Sequence, residues 1–258
     1  MAASNLNDWV SLRLEELAQR DLRPVEVAVI DSGIDSSHPD LAGRIVEAVR
    51  VDASSGNADI ISVELGQNND QFGHGTAVAS IIAKLAPNAH IVDVRVLGET
   101  STGSAGALIA GLKYAVQRRS RLINMSLAAK AEHAATLRGL CETAYRHNQL
   151  IIAARRNMPL TDEGIPAEFS STISVDRDRF PTPYQLQFRP DQTIEYSALG
   201  EEVIVAASGG GYTTKTGTSF ATPAIAAMCA LLIGAHPELR PFEVKTILKA
   251  FAGPVSNE

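Results

Sequence analysis

The chain has 258 residues, 45% hydrophobic and 20% charged, enough for one large α/β domain that buries its core without disulfides or metals. A formal net charge of −6 argues against nucleic acid or an anionic membrane as a partner. Cys141 and Cys229 fall in helical patterns without metal-ligand spacing, so they read as small buried residues in a reducing compartment.

The first predicted element is a lead-in helix over residues 8 to 20, where Trp9, Val10, Leu12, Leu14, Leu17 and Ala18 recur at near-helical spacing behind Asn7 or Asp8 as a cap. No basic stretch leads into an apolar core at the start, and no window approaches the length of a membrane span. The expectation is therefore a cytoplasmic chain with no membrane partner, made of a lead-in helix at 1–24 and one domain at 25–258. Apolar runs at 25–30, 90–97, 121–126 and 150–154 read as buried parallel strands. Helical patterns at 74–85, 104–119 and 131–147 have the length of crossover helices. Together they predict βαβ units, hence an α/β fold of three layers with a mostly parallel sheet covered on both faces. The stretch 177–193, rich in Arg, Pro, Asp and Gln, predicts a surface excursion. A helix then runs from Ser219 to about residue 235, and a last one spans 241–251 behind Pro237 and Pro241. Ligands of such a sheet bind at the carboxyl ends of its strands.

Three short strings carry the chemistry. Asp31 closes the run Val25–Ile30 and opens Asp31-Ser32-Gly33-Ile34-Asp35. His74 begins His74-Gly75-Thr76-Ala77-Val78-Ala79-Ser80, 43 positions on, and Ser219 lies in Gly217-Thr218-Ser219-Phe220-Ala221-Thr222-Pro223, a further 145 positions on. A serine hydroxyl attacks carbonyls poorly until a base takes its proton, and that base needs a carboxylate to orient it. Gly33 suits a tight turn beside Asp31. Asp35 reads as a turn cap, and His38, in His38-Pro39-Asp40-Leu41, as structural.

These strings, in the order Asp, His, Ser, resemble the subtilisin-like serine peptidases from about residue 25 to about 248. The resemblance implies a subtilisin-like fold and a cofactor-free serine endopeptidase that acts on peptide or protein substrates through an acyl-enzyme on Ser219. His74 would be the general base and Asp31 its orienting carboxylate. Asn157, at the end of Ile151–Asn157, would share the oxyanion with the Ser219 N–H, and Gly164-Ile165-Pro166-Ala167 matches the turn that follows in relatives. An extended substrate would pair with two walls, Met125-Ser126-Leu127-Ala128 and Leu97-Gly98 through Gly103.

The chain departs from the family pattern at Arg156, preceded by Arg155, where relatives carry glycine before the oxyanion asparagine, and at Ala128, another common glycine. Either Arg156 lines the pocket and favours an acidic or small residue before the scissile bond, or the pocket stays closed until a regulatory protein partner opens it. Two alternatives to hydrolysis stay open: a catalytically silent peptide-binding module, and a transpeptidase of peptide maturation. Relatives that are secreted break the helix after the histidine with a calcium loop, whereas Ile81–Ala89 runs straight through, so no metal is expected there. Asp52, Asp59, Asp70 and Asp162 read as solvated surface carboxylates. With about 24 residues before the first strand, no inhibitory propeptide is expected.

Overall fold

The computed structural model describes residues 13–53, 58–98, 103–157 and 164–252. Eleven strands form among them: β1 Val25–Asp31, β2 Ile45–Asp52, β3 Asp59–Val63, β4 Ala89–Arg95, β5 Leu122–Met125, β6 Leu150–Ala154, β7 Thr172–Asp178, β8 Leu186–Phe188, β9 Tyr196–Leu199, β10 Val203–Ala206 and β11 Tyr212–Lys215. The helices are α1, described over 13–18, then α2 His74–Leu85, α3 Ala105–Arg118, α4 Ala134–Arg146, α5 Thr218–Ala235 and α6 Pro241–Phe251.

Nine strands make one sheet in the order β3-β2-β4-β1-β5-β6-β7-β9-β8, and β10 pairs with β11 as a separate hairpin. From β2 to β9 every pairing is parallel; only the edge strands β3 and β8 run antiparallel. Parallel strands need crossovers, and the crossovers put helices on the faces. β1 shows the consequence, because successive side chains point to opposite faces. Val27 and Val29 join a core with α2 and α5, while Ala28 and Ile30 join a second core with α3 and α4. Leu14 of α1 is buried in the first of these cores.

α5 is the axle of the first core: every residue but Ala235 is buried. It is also long and apolar enough to cross a bilayer, at 18 residues and mean hydropathy 1.7, which corrects the expectation that no window approaches that length. Here 94% of that window is buried in protein, so the apolar surface is satisfied by packing. A second correction concerns 177–193. Tyr184, Gln185 and Leu186 are buried there and β8 pairs with β9, because the polar residues sit around a short edge strand whose apolar members face inward. Both cysteines are buried free thiols, with burial pushing each up to about 12.

Candidate active site

Asp31 is the last residue of β1 and His74 the first of α2, so the sheet's carboxyl edge and a helix N-terminus bring them together. Gly33 makes the turn after β1 feasible. Its φ is +104°, and a β-carbon there would lie 2.3 Å from the Asn68 carbonyl oxygen. Asp31 is 1% exposed, and its Oδ1 accepts from the Ser32 backbone N–H at 2.8 Å and from His74 Nδ1 at 2.7 Å. A carboxylate can only accept, so the proton on this side of the ring belongs to Nδ1 and the Nε2 lone pair is left for chemistry. Burial works against a charged His74, but the Asp31 charge and hydrogen bond, with help from the Asp70 charge, outweigh it and hold the imidazole above its ordinary 6.5.

Asp70 is itself a correction: it is 2% exposed rather than solvated. Its carboxylate accepts from the Gly73 and Thr76 N–H groups, each at 2.8 Å, and from the Thr76 and Ser32 hydroxyls at 2.6 and 2.8 Å. It therefore caps the N-terminus of α2 and ties that end to the turn after β1, which fixes His74 against Asp31. An acidic residue shortly before a helix start was the available signal. His38 is structural, with Nε2 at 2.9 Å from the Gly211 carbonyl oxygen, and Asp35 caps its turn through the Ser37 N–H at 3.1 Å.

Ser219 is the second residue of α5. Pro223 lies four residues on and has no N–H for the Ser219 carbonyl, so the Ser126 hydroxyl supplies the donor instead, at 3.0 Å. The Ser219 hydroxyl donates in return to the Ser126 carbonyl oxygen at 3.1 Å. In this rotamer it does not bond to His74, whose ring packs 5.5 Å from that of the adjacent Phe220. Asn157 lies beside the same helix start: its Oδ1 accepts from the Thr218 N–H at 3.3 Å and from Arg177 Nη1 at 3.0 Å. The Thr218 hydroxyl donates to the Arg155 carbonyl oxygen at 2.7 Å, which anchors the segment after β6 to α5.

The Subtilase family profile matches residues 23–257. The chain belongs to the subtilase family. It is 32% identical to Subtilisin NAT of Bacillus subtilis subsp. natto over 255 residues, covering 90% of this chain and 61% of that protein. It is likewise 32% identical to the Intracellular serine protease of Paenibacillus polymyxa over 225 residues, covering 81% of this chain and 67% of the relative. A solved cold adapted subtilisin-like serine proteinase superposes with TM-score 0.71 at 26% identity, covering 90% of this chain and 84% of that one. The subtilase described here thus spans about 61% of the length of Subtilisin NAT and of Subtilisin E.

A cleft of about 360 Å³ opens beside His74 in this subtilase, lined by Phe72, Leu97, Gly103, Ser126, Leu127 and Ala128. Gly98 lines an adjoining hollow of about 420 Å³ with Arg50 and Arg95 instead. Residues 99–102 of the expected wall, and Asp162, lie outside the described residues. The two arginines before Asn157 part company. Arg155 turns to Asp176 at 2.8 Å, a carboxylate that also holds Arg189 at 2.8 Å. Arg156 Nη2 donates to the Ala129 carbonyl oxygen at 2.5 Å, where Ala129 pairs with Ile165. A β-carbon on Gly164 would lie 2.9 Å from those of both Ala128 and Arg156, so the arginine sits where the 126–129 wall meets the turn at Gly164. Among the described residues no group of three or more His, Cys, Asp or Glu side chains is placed to hold a metal ion.

Proposed function

We propose that this subtilase is a serine endopeptidase that cleaves peptide bonds through an acyl-enzyme on Ser219. The observation that carries the reading is the 2.7 Å bond from His74 to a buried Asp31, next to the helix whose second residue is Ser219. A turn of the Ser219 hydroxyl from Ser126 toward His74 gives up one hydrogen bond to a neutral carbonyl, worth about 1 kcal/mol. As Oγ attacks the substrate carbonyl carbon, its proton passes to His74 Nε2. The oxyanion formed takes hydrogen bonds from Asn157 Nδ2 and the Ser219 N–H. Collapse breaks the C–N bond, and His74 returns the proton to the leaving amine. Water then repeats the sequence on the ester, with His74 again as base. The similarity to a protein named Intracellular serine protease supports a cytoplasmic setting. A fluorophosphonate probe tests the reading: it should label the wild-type chain and not Ser219→Ala, and an unlabelled wild type would end it.

Arg156 supports a narrower reading of the substrate. A guanidinium where the 126–129 wall meets the turn at Gly164 favours an acidic or small residue before the scissile bond, since a basic side chain there would meet like charge. A peptide library should show that preference in the wild type and lose it in Arg156→Gly. Selection of large apolar or basic residues by the wild type would overturn it. The same arginine also favours a second reading, a pocket closed until a partner moves the segment. In that case the probe labels the chain only in the partner's presence.

A further inference from the structure

We propose that Arg177 is a positioning residue for the oxyanion site: it fixes the orientation of the Asn157 amide and polarises it toward the developing charge. The inference rests on the peptidase reading above. An amide side chain can be turned end for end, and only its neighbours decide which end faces where. At Asn157 both neighbours are pure donors. The Thr218 backbone N–H and the Arg177 guanidinium can donate and cannot accept, so the amide oxygen must face them, at 3.3 and 3.0 Å. The amide nitrogen is then forced to the opposite edge, over Gly217 at the entry to the Ser219 helix. It lies 3.8 Å from where a Gly217 β-carbon would be. Without Arg177, one backbone donor at a long 3.3 Å would be left to hold this exposed side chain.

The placement of Arg177 is supported from several sides. It belongs to β7, whose parallel neighbour β6 leads directly into 155–157. Gly200 leaves room for it, since a β-carbon there would lie 2.7 Å from that of Arg177. Glu201 Oε1 stands 3.9 Å from its Nε as a counter-charge behind it. A cation bonded to the carbonyl end of an amide draws electron density from its N–H, which strengthens the bond that the other end donates. That gain is larger for an oxyanion than for a neutral carbonyl, so it belongs to the transition state rather than to substrate binding.

The test compares wild type, Arg177→Met and Arg177→Lys on a peptide substrate and on a peptide boronate, which copies the tetrahedral oxyanion. Arg177→Met is expected to lower kcat about tenfold with KM unchanged and to weaken the boronate by a similar factor. Arg177→Lys, which keeps a charged donor, should recover most of both. In an Asn157→Ala background, adding Arg177→Met should cost nothing further, because the guanidinium acts through the amide it no longer meets. Should Arg177→Met fail to fold, Arg177→Gln carries the same comparisons. An active wild type with kcat and boronate affinity in the variant within twofold, or an equal loss in the Asn157→Ala background, overturns this inference and leaves the peptidase reading standing. A wild type that neither turns over nor takes the probe overturns both.

Discussion

Ser219→Ala and His74→Ala are each expected to lower turnover by on the order of a millionfold, a size taken over from subtilisin itself, and combining them should cost little more. The near-equality follows from the chemistry. Without the imidazole, Oγ–H attacks at its unassisted rate, and without Oγ the imidazole has no nucleophile to activate. Folding should survive both. Ser219→Ala removes one bond to a backbone carbonyl, at 3.1 Å, and leaves the carbonyl of residue 219 still bonded to Ser126. His74 is the first residue of a helix capped independently by Asp70, so α2 does not depend on its ring. Turnover is read by single-substrate kinetics beside thermal unfolding. A loss below about a hundredfold in either variant, with folding intact, would mean that the hydroxyl and the ring do not work as a unit.

Asp31→Asn is expected to lower kcat by about ten-thousandfold, again at the scale known for this triad, and to shift the pH profile in a stated direction. In the proposed mechanism neutral His74 is the base, so kcat/KM is expected to fall as pH drops through the His74 pKa. In the wild type that pKa lies above 6.5, because the Asp31 charge and hydrogen bond overcome the opposing effect of burial. Removing the charge leaves burial in command, and burial disfavours the imidazolium. The acid limb should therefore move to lower pH while the plateau collapses. The plateau falls because an asparagine can turn its NH₂ to Nδ1, which places the ring proton on the Nε2 that has to accept one. An unmoved acid limb, or a rate within tenfold of wild type, would count against Asp31 as the orienting group.

Much of the frame was legible. The α2 helix runs over His74–Leu85 and the last helix over Pro241–Phe251, as their apolar spacing predicts, because buried faces repeat with the helix period. The edges were less so. β2 and β3 went unread, the first because it mixes exposed and buried positions and the second because none of its residues is buried, and β8 hid among polar neighbours. At the site, Asp31 and His74 were legible since each stands at an element boundary marked by its own neighbours. Asp70 was misread as a surface group, because its partners Ser32 and Thr76 reach it only once the two loops are packed.

The sequence by itself determined most of the central elements, the alternation of strand and helix, and the order of the three proposed catalytic side chains, all of which depend on residues close along the chain. Tertiary structure alone decided which distant groups hold them. Ser126 meets Ser219 across 93 positions, and Arg177 meets Asn157 across 20. Those meetings follow from β5, β6 and β7 lying side by side against α5. The cause is geometric: hydrogen bonds act over about 3 Å, and no local pattern of residues encodes which strands will be neighbours.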